Sequence, residues 1–137
     1  MAVVDASVVI KWFANEEHSD KSLLLRDAYA KGLDDLFSPC ILPFEVINGL
    51  KYSYNLGENE LIEISRILND FQITLYPFDH LMDEAVSLSS RYGITIYDAS
   101  YIALGKTLDE KVYTADEKLL RKVRGLTFVA HIKDFFL

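Results

Sequence analysis

The chain has 137 residues, half of them hydrophobic, and carries a formal net charge of −7 with a pI near 4.9. That size and apolar content suit a domain with a core of its own and exclude intrinsic disorder. The acidic balance excludes a protein that coats nucleic acid through a basic face, and no apolar run reaches the roughly 18 residues a membrane span requires.

AVVD (2–5) predicts a short apolar strand, and SVVIKWFA (7–14) predicts a first helix directly after it. This beginning has an acid at position 5 and no basic leader, so a cytoplasmic protein without membrane association is expected. Residues 18–31 predict a helix, with Leu24, Ala28 and Lys31 at helical spacing and Gly32 as its stop. LFSP (36–39) is a second strand. Cys40 follows it; as the single cysteine it excludes a disulfide framework and a cysteine-rich zinc site, and it reads as a small buried hydrophobe. Pro43 suits the first turn of a helix running to about Leu56, with Gly57 behind it. Residues 58–70 predict a helix whose Leu61, Ile64, Leu68 and Phe71 form one apolar stripe. Then come a strand at ITLYPF (73–78), a helix over 79–92 stopped by Gly93, a helix opened by Asp98, a strand at KVYT (111–114), a helix over 116–123 and a last strand at LTFVA (126–130). Strands alternating with helices imply a parallel sheet covered on both faces, with ligands bound outside the carboxyl ends of the strands.

Four acids fall at telling places in this frame. Asp5 ends the first strand, Glu45 stands in the first turn of the helix after LFSP, and Asp116 lies just past KVYT. Asp98 opens the helix that leads into KVYT, and joins the same rim if that helix starts there. Singly, each acid suits a helix start, where it caps free N–H groups and meets the positive end of the dipole; Thr95 and Asp98 resemble a loose capping box. Together they need another explanation, because two carboxylates about 4 Å apart repel by roughly 4 kcal/mol at an effective dielectric near 20. Cations resolve that conflict, and hard oxygen ligands without Cys or His suit Mg²⁺ or Mn²⁺. Such a cation lowers the pKa of a bound water and neutralises charge on an attacked phosphodiester. His18, His80 and His131 are scattered, no Ser–His–Asp set is visible, and neither GxxxxGK[ST] nor GxGxxG occurs.

VVDASVVIKWF near the start, PFEVINGL (43–50), IYDASYIALG (96–105) and VYTADEKL (112–119) together resemble the PIN-domain nucleases, and most closely the VapC-type toxins of prokaryotic toxin–antitoxin systems. The resemblance runs over essentially the whole chain, in order and with fitting spacing, so residues 1–137 are expected to form a single PIN domain. It implies a Rossmann-like three-layer α/β/α sandwich with a central parallel sheet of about five strands, and Mg²⁺- or Mn²⁺-dependent cleavage of RNA. Carried over by position, the family's acidic quartet falls on Asp5, Glu45, Asp98 and Asp116, with Glu117 able to share or replace the role of its neighbour. The implied roles are Asp5 and Asp98 on a first metal, Glu45 as a ligand or as a base for the attacking water, and Asp116 on a second metal or on the first through water. Ser7, two residues after the first aspartate, and Thr114, before the last acid, would orient these carboxylates. Asn48 shares the helix face of Glu45 and is a candidate contact to metal-bound water or substrate, or a plain surface amide.

The resemblance also implies a homodimer and a small antitoxin whose C-terminal segment wraps the toxin and can place a basic side chain in the acidic pocket. Tyr52, Tyr54 and Leu56, with the stripe at 58–71, offer a surface for either partner, against core packing for Leu61, Ile64 and Leu68. Lys118, Arg121, Lys122 and Arg124 put four positive charges just after Asp116, as a grip on the RNA backbone or as a solvated helix face. Lys11 and Trp12 near the first acid are a weaker pointer to phosphate or base contact, Trp12 being a common core residue. Rival readings lack residues. A phosphatase of the haloacid dehalogenase type would want a second Asp where this chain has Ser7. A receiver-type signalling module would want an adjacent acidic pair near the first strand and a lysine at the end of the last, and VVDAS and TFVAH offer neither. A non-catalytic PIN-like module that binds RNA or protein is the remaining alternative, and the intact quartet weighs against it.

Overall fold

The computed structural model describes residues 1–137. Five strands, β1 (Ala2–Val4), β2 (Leu36–Pro39), β3 (Thr74–Tyr76), β4 (Lys111–Thr114) and β5 (Val129–His131), form one sheet in the order β3-β2-β1-β4-β5, with every neighbouring pair parallel. Seven helices connect them: α1 (Ala6–Ile10), α2 (Ser19–Ala30), α3 (Leu42–Tyr54), α4 (Glu58–Asp70), α5 (Met82–Tyr92), α6 (Ile96–Leu108) and α7 (Glu117–Lys122). All three residues of the central strand β1 are buried, as a strand between two neighbours and two helical layers requires. The edge strand β3 is instead exposed at Thr74 and Leu75.

From β1 the chain steps through β2 to β3 on one side, then returns across the sheet to β4 and β5 on the other. Right-handed crossovers therefore put α1–α4 on one face and α5–α7 on the opposite face, which gives the expected α/β/α sandwich. The winding reverses beside β1, so a crevice opens at the carboxyl ends of β1 and β4. Helix α6 lies across β1, β2 and β4. It approaches β4 so closely that a Cβ on Gly105 would stand 2.2 Å from Val112 Cγ2 and 3.1 Å from the Glu110 carbonyl oxygen. Only glycine permits that approach, and the approach fixes the position of a helix whose other end carries Asp98.

Every predicted element is present, with shifted ends. Helix α1 stops at Ile10, short of residue 14, because the N–H groups of Lys11, Trp12 and Phe13 bond three residues back, at 3.2, 2.9 and 3.0 Å. Such bonds tighten the chain and turn it, and the Trp12 indole swings into the core to donate to the Ser22 carbonyl at 3.1 Å. Helix α3 ends at Tyr54 with Asn55 in the left-handed region, φ 52°. Gly57, expected as its stop, instead opens α4, where Glu60 accepts the Gly57 N–H at 3.4 Å. LTFVA becomes strand only from Val129, since the Val129 N–H turns back to the Leu126 carbonyl at 3.2 Å. Cys40 is a correction: it is exposed, not buried. Its N–H extends the β2–β3 pairing to the Tyr76 carbonyl at 2.9 Å, and its side chain borders a surface cavity beside Phe78 and Met82. Of the α4 stripe, Leu68 is in the core, while Leu61, Ile64 and Phe71 pack half-buried against it.

Candidate active site

Each of the four acids sits where a secondary element begins or ends. Asp5 follows β1 and caps α1, its Oδ1 accepting the Val8 N–H at 3.2 Å and the Ser7 hydroxyl at 2.6 Å. Asp116 caps α7, its Oδ1 accepting the Leu119 N–H at 3.0 Å while its own N–H donates to Thr114 Oγ1 at 3.1 Å. Ser7 joins the two strand ends: its Oγ also accepts the Ala115 N–H at 2.8 Å and stands 3.4 Å from Thr114 Oγ1. Glu45, in the first turn of α3, accepts the hydroxyl of Tyr101 at 2.6 Å. Asp98 lies in the first turn of α6, where Thr95 does the capping by accepting the Asp98 N–H at 3.0 Å.

Electrostatics ties these four together. Asp5 is only 6% exposed. Burial pushes its carboxyl up to about 6 against the opposing bonds from Ser7, Thr114 and the Val8 N–H, and the charge of Asp98 adds to the rise. Burial likewise raises Glu45, with Tyr101 opposing and Asp98 again adding. Asp98 is raised by its own burial and then by the charge of Asp116, against a Thr95 hydrogen bond and the positive charge of Lys122. Asp98 is therefore the member that feels or acts on all three others. None of the four forms an ion pair with a lysine, arginine or histidine.

No three His, Cys, Asp or Glu side chains close into a ligand cage. The acids form an open set in which the charge of each of the other three is coupled to Asp98. That geometry suits a hard cation that keeps several waters and takes one or two carboxylates, as Mg²⁺ does. It does not suit a closed tetrahedral site of nitrogen and sulfur ligands. The donor set also fits in charge, because burial first and mutual repulsion second disfavour the charged forms of Asp5, Glu45 and Asp98, and a cation would offset both.

The remaining predicted residues fall in several places. Thr114 is fully buried at the end of β4. Asn48 is exposed and borders a groove between α3 and α4 with Phe44, Ile47 and Ile62; it makes no hydrogen bond to the acids. Glu117 is exposed and turns toward His131, 3.9 Å from its Nε2, so it is Asp116 whose charge reaches Asp98. Lys118, Arg121, Lys122 and Arg124 are all exposed. Lys122 comes nearest the acids: it donates to the Gly93 carbonyl at 3.1 Å and its charge acts on Asp98. Lys11 is buried and donates to the Glu17 carbonyl at 2.6 Å and to Glu16 Oε1 at 3.2 Å. Tyr101 went unnoticed in the sequence. Its signal was a position three residues after Asp98, on one helix face; its partner Glu45 lies 56 residues away in the chain, which spacing does not reveal.

Comparison with known proteins agrees with this architecture. Ribonuclease VapC3 of Pyrobaculum aerophilum is 26% identical over 129 residues, which span 90% of this chain and 95% of that protein. The fold superposes on a chain of a toxin–antitoxin complex from Klebsiella pneumoniae with a TM-score of 0.70, at 15% identity, covering 96% of this chain and 98% of that one. It also superposes on a crystal structure of a Pyrobaculum aerophilum protein with a TM-score of 0.61, at 25% identity, covering 96% and 89%. The family model described as the PIN domain matches residues 2–126. With its parallel sheet, its reversal beside β1 and its acids at that reversal, the chain belongs to the PIN domain family.

Proposed function

We propose that this chain is a metal-dependent endoribonuclease and the toxin of a toxin–antitoxin pair, formed by one domain over residues 1–137 and working in the cytoplasm. The observation that carries this reading is the row of acids around Asp98, supplied by the end of β1 and the starts of α3, α6 and α7, coupled in charge and paired with no base. The likeness to a ribonuclease and to a chain of a toxin–antitoxin complex supports the substrate and the partner. That no helix is long and apolar enough to cross a membrane fits the assignment.

Asp5 and Asp98 would hold Mg²⁺ or Mn²⁺, with Glu45 and Asp116 completing the site directly or through water. When bound, the cation would neutralise the phosphodiester and acidify the attacking water. Ser7 fixes the Asp5 carboxylate against the Thr114–Asp116 turn, so the two strand ends move as one. Glu45, half-buried and with its carboxyl raised by that burial, would serve as the base for the attacking water where it is not itself a ligand, and the Tyr101 hydroxyl orients it. Lys122 and its neighbours on α7 hold the flanking phosphates. A second copy and a small antitoxin are the partners, and exposed Phe44, Tyr52 and Ile62 along α3 and α4 favour such contacts.

The decisive experiment incubates the purified, antitoxin-free protein with a mixed RNA panel in Mg²⁺ or Mn²⁺, beside Asp98→Asn and an EDTA control. Cleavage by the wild type that both chelation and the substitution abolish is the expected result. Cleavage by Asp98→Asn at the wild-type rate would sink this site.

A further inference from the structure

Beside Asp116 lies a polar cavity of about 360 Å³ bordered by Lys11, Glu17, His18, Asp116, Glu117 and His131. It falls within the size range of small-molecule sites, roughly 300–1,000 Å³. Of its lining only Asp116 takes part in the proposed chemistry. Its inner groups are donors. Lys11 is 8% exposed and spends two of its three N–H bonds on the Glu17 carbonyl and Glu16, which leaves one. His131 Nδ1 accepts the Lys133 N–H at 3.0 Å, which places the imidazole proton on Nε2. That Nε2–H is 3.9 Å from Glu117 Oε1, too far for a hydrogen bond, and so has a donor to offer.

The imidazole rings of His18 and His131 meet edge to face with centroids 5.1 Å apart. His18 occupies the left-handed region, φ 64°, and its side chain makes no capping bond to α2. Its Nε2 stands 3.4 Å from Glu17 Oε1, which ties the ring to the rim of the cavity. The carboxylates of Glu17 and Glu117 are at the solvated rim, 87% and 68% exposed.

This lining selects among ligands. A phosphate would face Asp116 and the rim acids. A guanidinium or ammonium would face the Lys11 ammonium and the His131 Nε2–H donor. A neutral planar heterocycle with acceptors on one edge and an amine on another satisfies both the inner donors and the rim acceptors, and the partly exposed His18 ring gives it a face to stack on. We infer that this cavity is a base-recognition subsite, holding the nucleobase of the RNA nucleotide that flanks the cut, with Lys11 and His131 reading acceptors and His18 supplying the stacking face. The inference rests on the nuclease reading for its place in the reaction, and not for binding itself.

Two measurements test it. The first follows the imidazole NMR signals of wild-type protein as RNA tetranucleotides are added, in Mg²⁺ and then in EDTA. His18 and His131 are expected to move and His80, which lies outside the cavity, to stay. The second compares the affinity of His18→Asn and of wild type for the same tetranucleotides in EDTA. Asparagine tolerates the left-handed backbone, so the melting temperature should hold. Affinity should fall by roughly 5- to 150-fold, the value of one base stacked on an aromatic ring. If His18 and His131 stay still with every oligonucleotide, or move only with an arginine-rich peptide, the inference is overturned. An unchanged affinity in His18→Asn overturns it as well. If the signals move with RNA while the wild type cuts nothing, the base subsite stands and the nuclease reading falls.

Discussion

The two ends of α6 handle charge in opposite ways. Near its C-terminus Lys106 pairs with Glu84 of α5, on an exposed surface and at the helix end where a cation is favoured. One residue earlier, Gly105 lets the helix press against β4. This end is electrostatically satisfied and tightly packed. At the other end Asp98 lies among Asp5, Glu45 and Asp116, and burial and repulsion raise its carboxyl together with those of Asp5 and Glu45. The same helix thus carries a stabilising pair at one terminus and an unneutralised acid row at the other. The difference shows where the fold gives up stability, and a cation-binding site is what such a loss serves.

The sharpest way to break this comparison is to remove a charge at each end. Asp98→Asn should lower RNA cleavage by well over the roughly 10- to 100-fold that groups supporting a metal ligand contribute, and should abolish the rise in melting temperature on adding Mg²⁺. Lys106→Ala should leave both untouched. Next in size, Tyr101→Phe removes the bond at 2.6 Å to Glu45 without emptying the core. A kcat lower by about 10- to 100-fold with little change in KM is expected in steady-state kinetics, and an unchanged kcat would show that Glu45 needs no such support.

The third prediction is a stability effect in EDTA. Asp5 has its folded-state pKa raised from 3.8 to about 6, so the folded state binds this proton more tightly than the unfolded chain does. Its favourable contribution is complete below pH 3.8 and is lost as the pH rises through about 6. Asp5→Asn removes the ionisation while an amide oxygen can still accept from Ser7 and Val8. Urea denaturation should show the variant more stable than wild type at pH 7.5 by up to about 3 kcal/mol, with the gap closing toward pH 4. Equal stability at pH 7.5 would mean the buried carboxylate is not destabilising. At the satisfied end, Gly105→Ala should cost about 1–3 kcal/mol by overpacking against Val112, read as a lower melting temperature. Smallest of all, Lys106→Ala should cost less than about 1 kcal/mol, as exposed pairs do.

Much of the fold was legible in the chain. The apolar run AVV, the motif LFSP and the run KVYT read as buried or half-buried strands, and all three form at the predicted places. Boundaries were harder wherever a side chain reached beyond its own segment. Trp12 leaves the first helix to bond Ser22, and Asn55 takes the left-handed stop expected of Gly57. Cys40 misled for a related reason: its type predicts burial, while its place past the end of β2 turns it outward.

What the sequence by itself determined is the list of elements, their parallel pairing and the identity of four acids at element ends, because hydrophobic period and helix-end chemistry are local properties written in neighbouring residues. What only the tertiary structure decided is which acid is central, which neighbour of Asp116 turns away, and which hydroxyl meets Glu45. Those depend on how far burial strips water from each carboxylate and on which charges it then faces across the crevice. Residues 5, 45, 98 and 116 become neighbours only when β1 and β4 pair and α3 and α6 close over the rim.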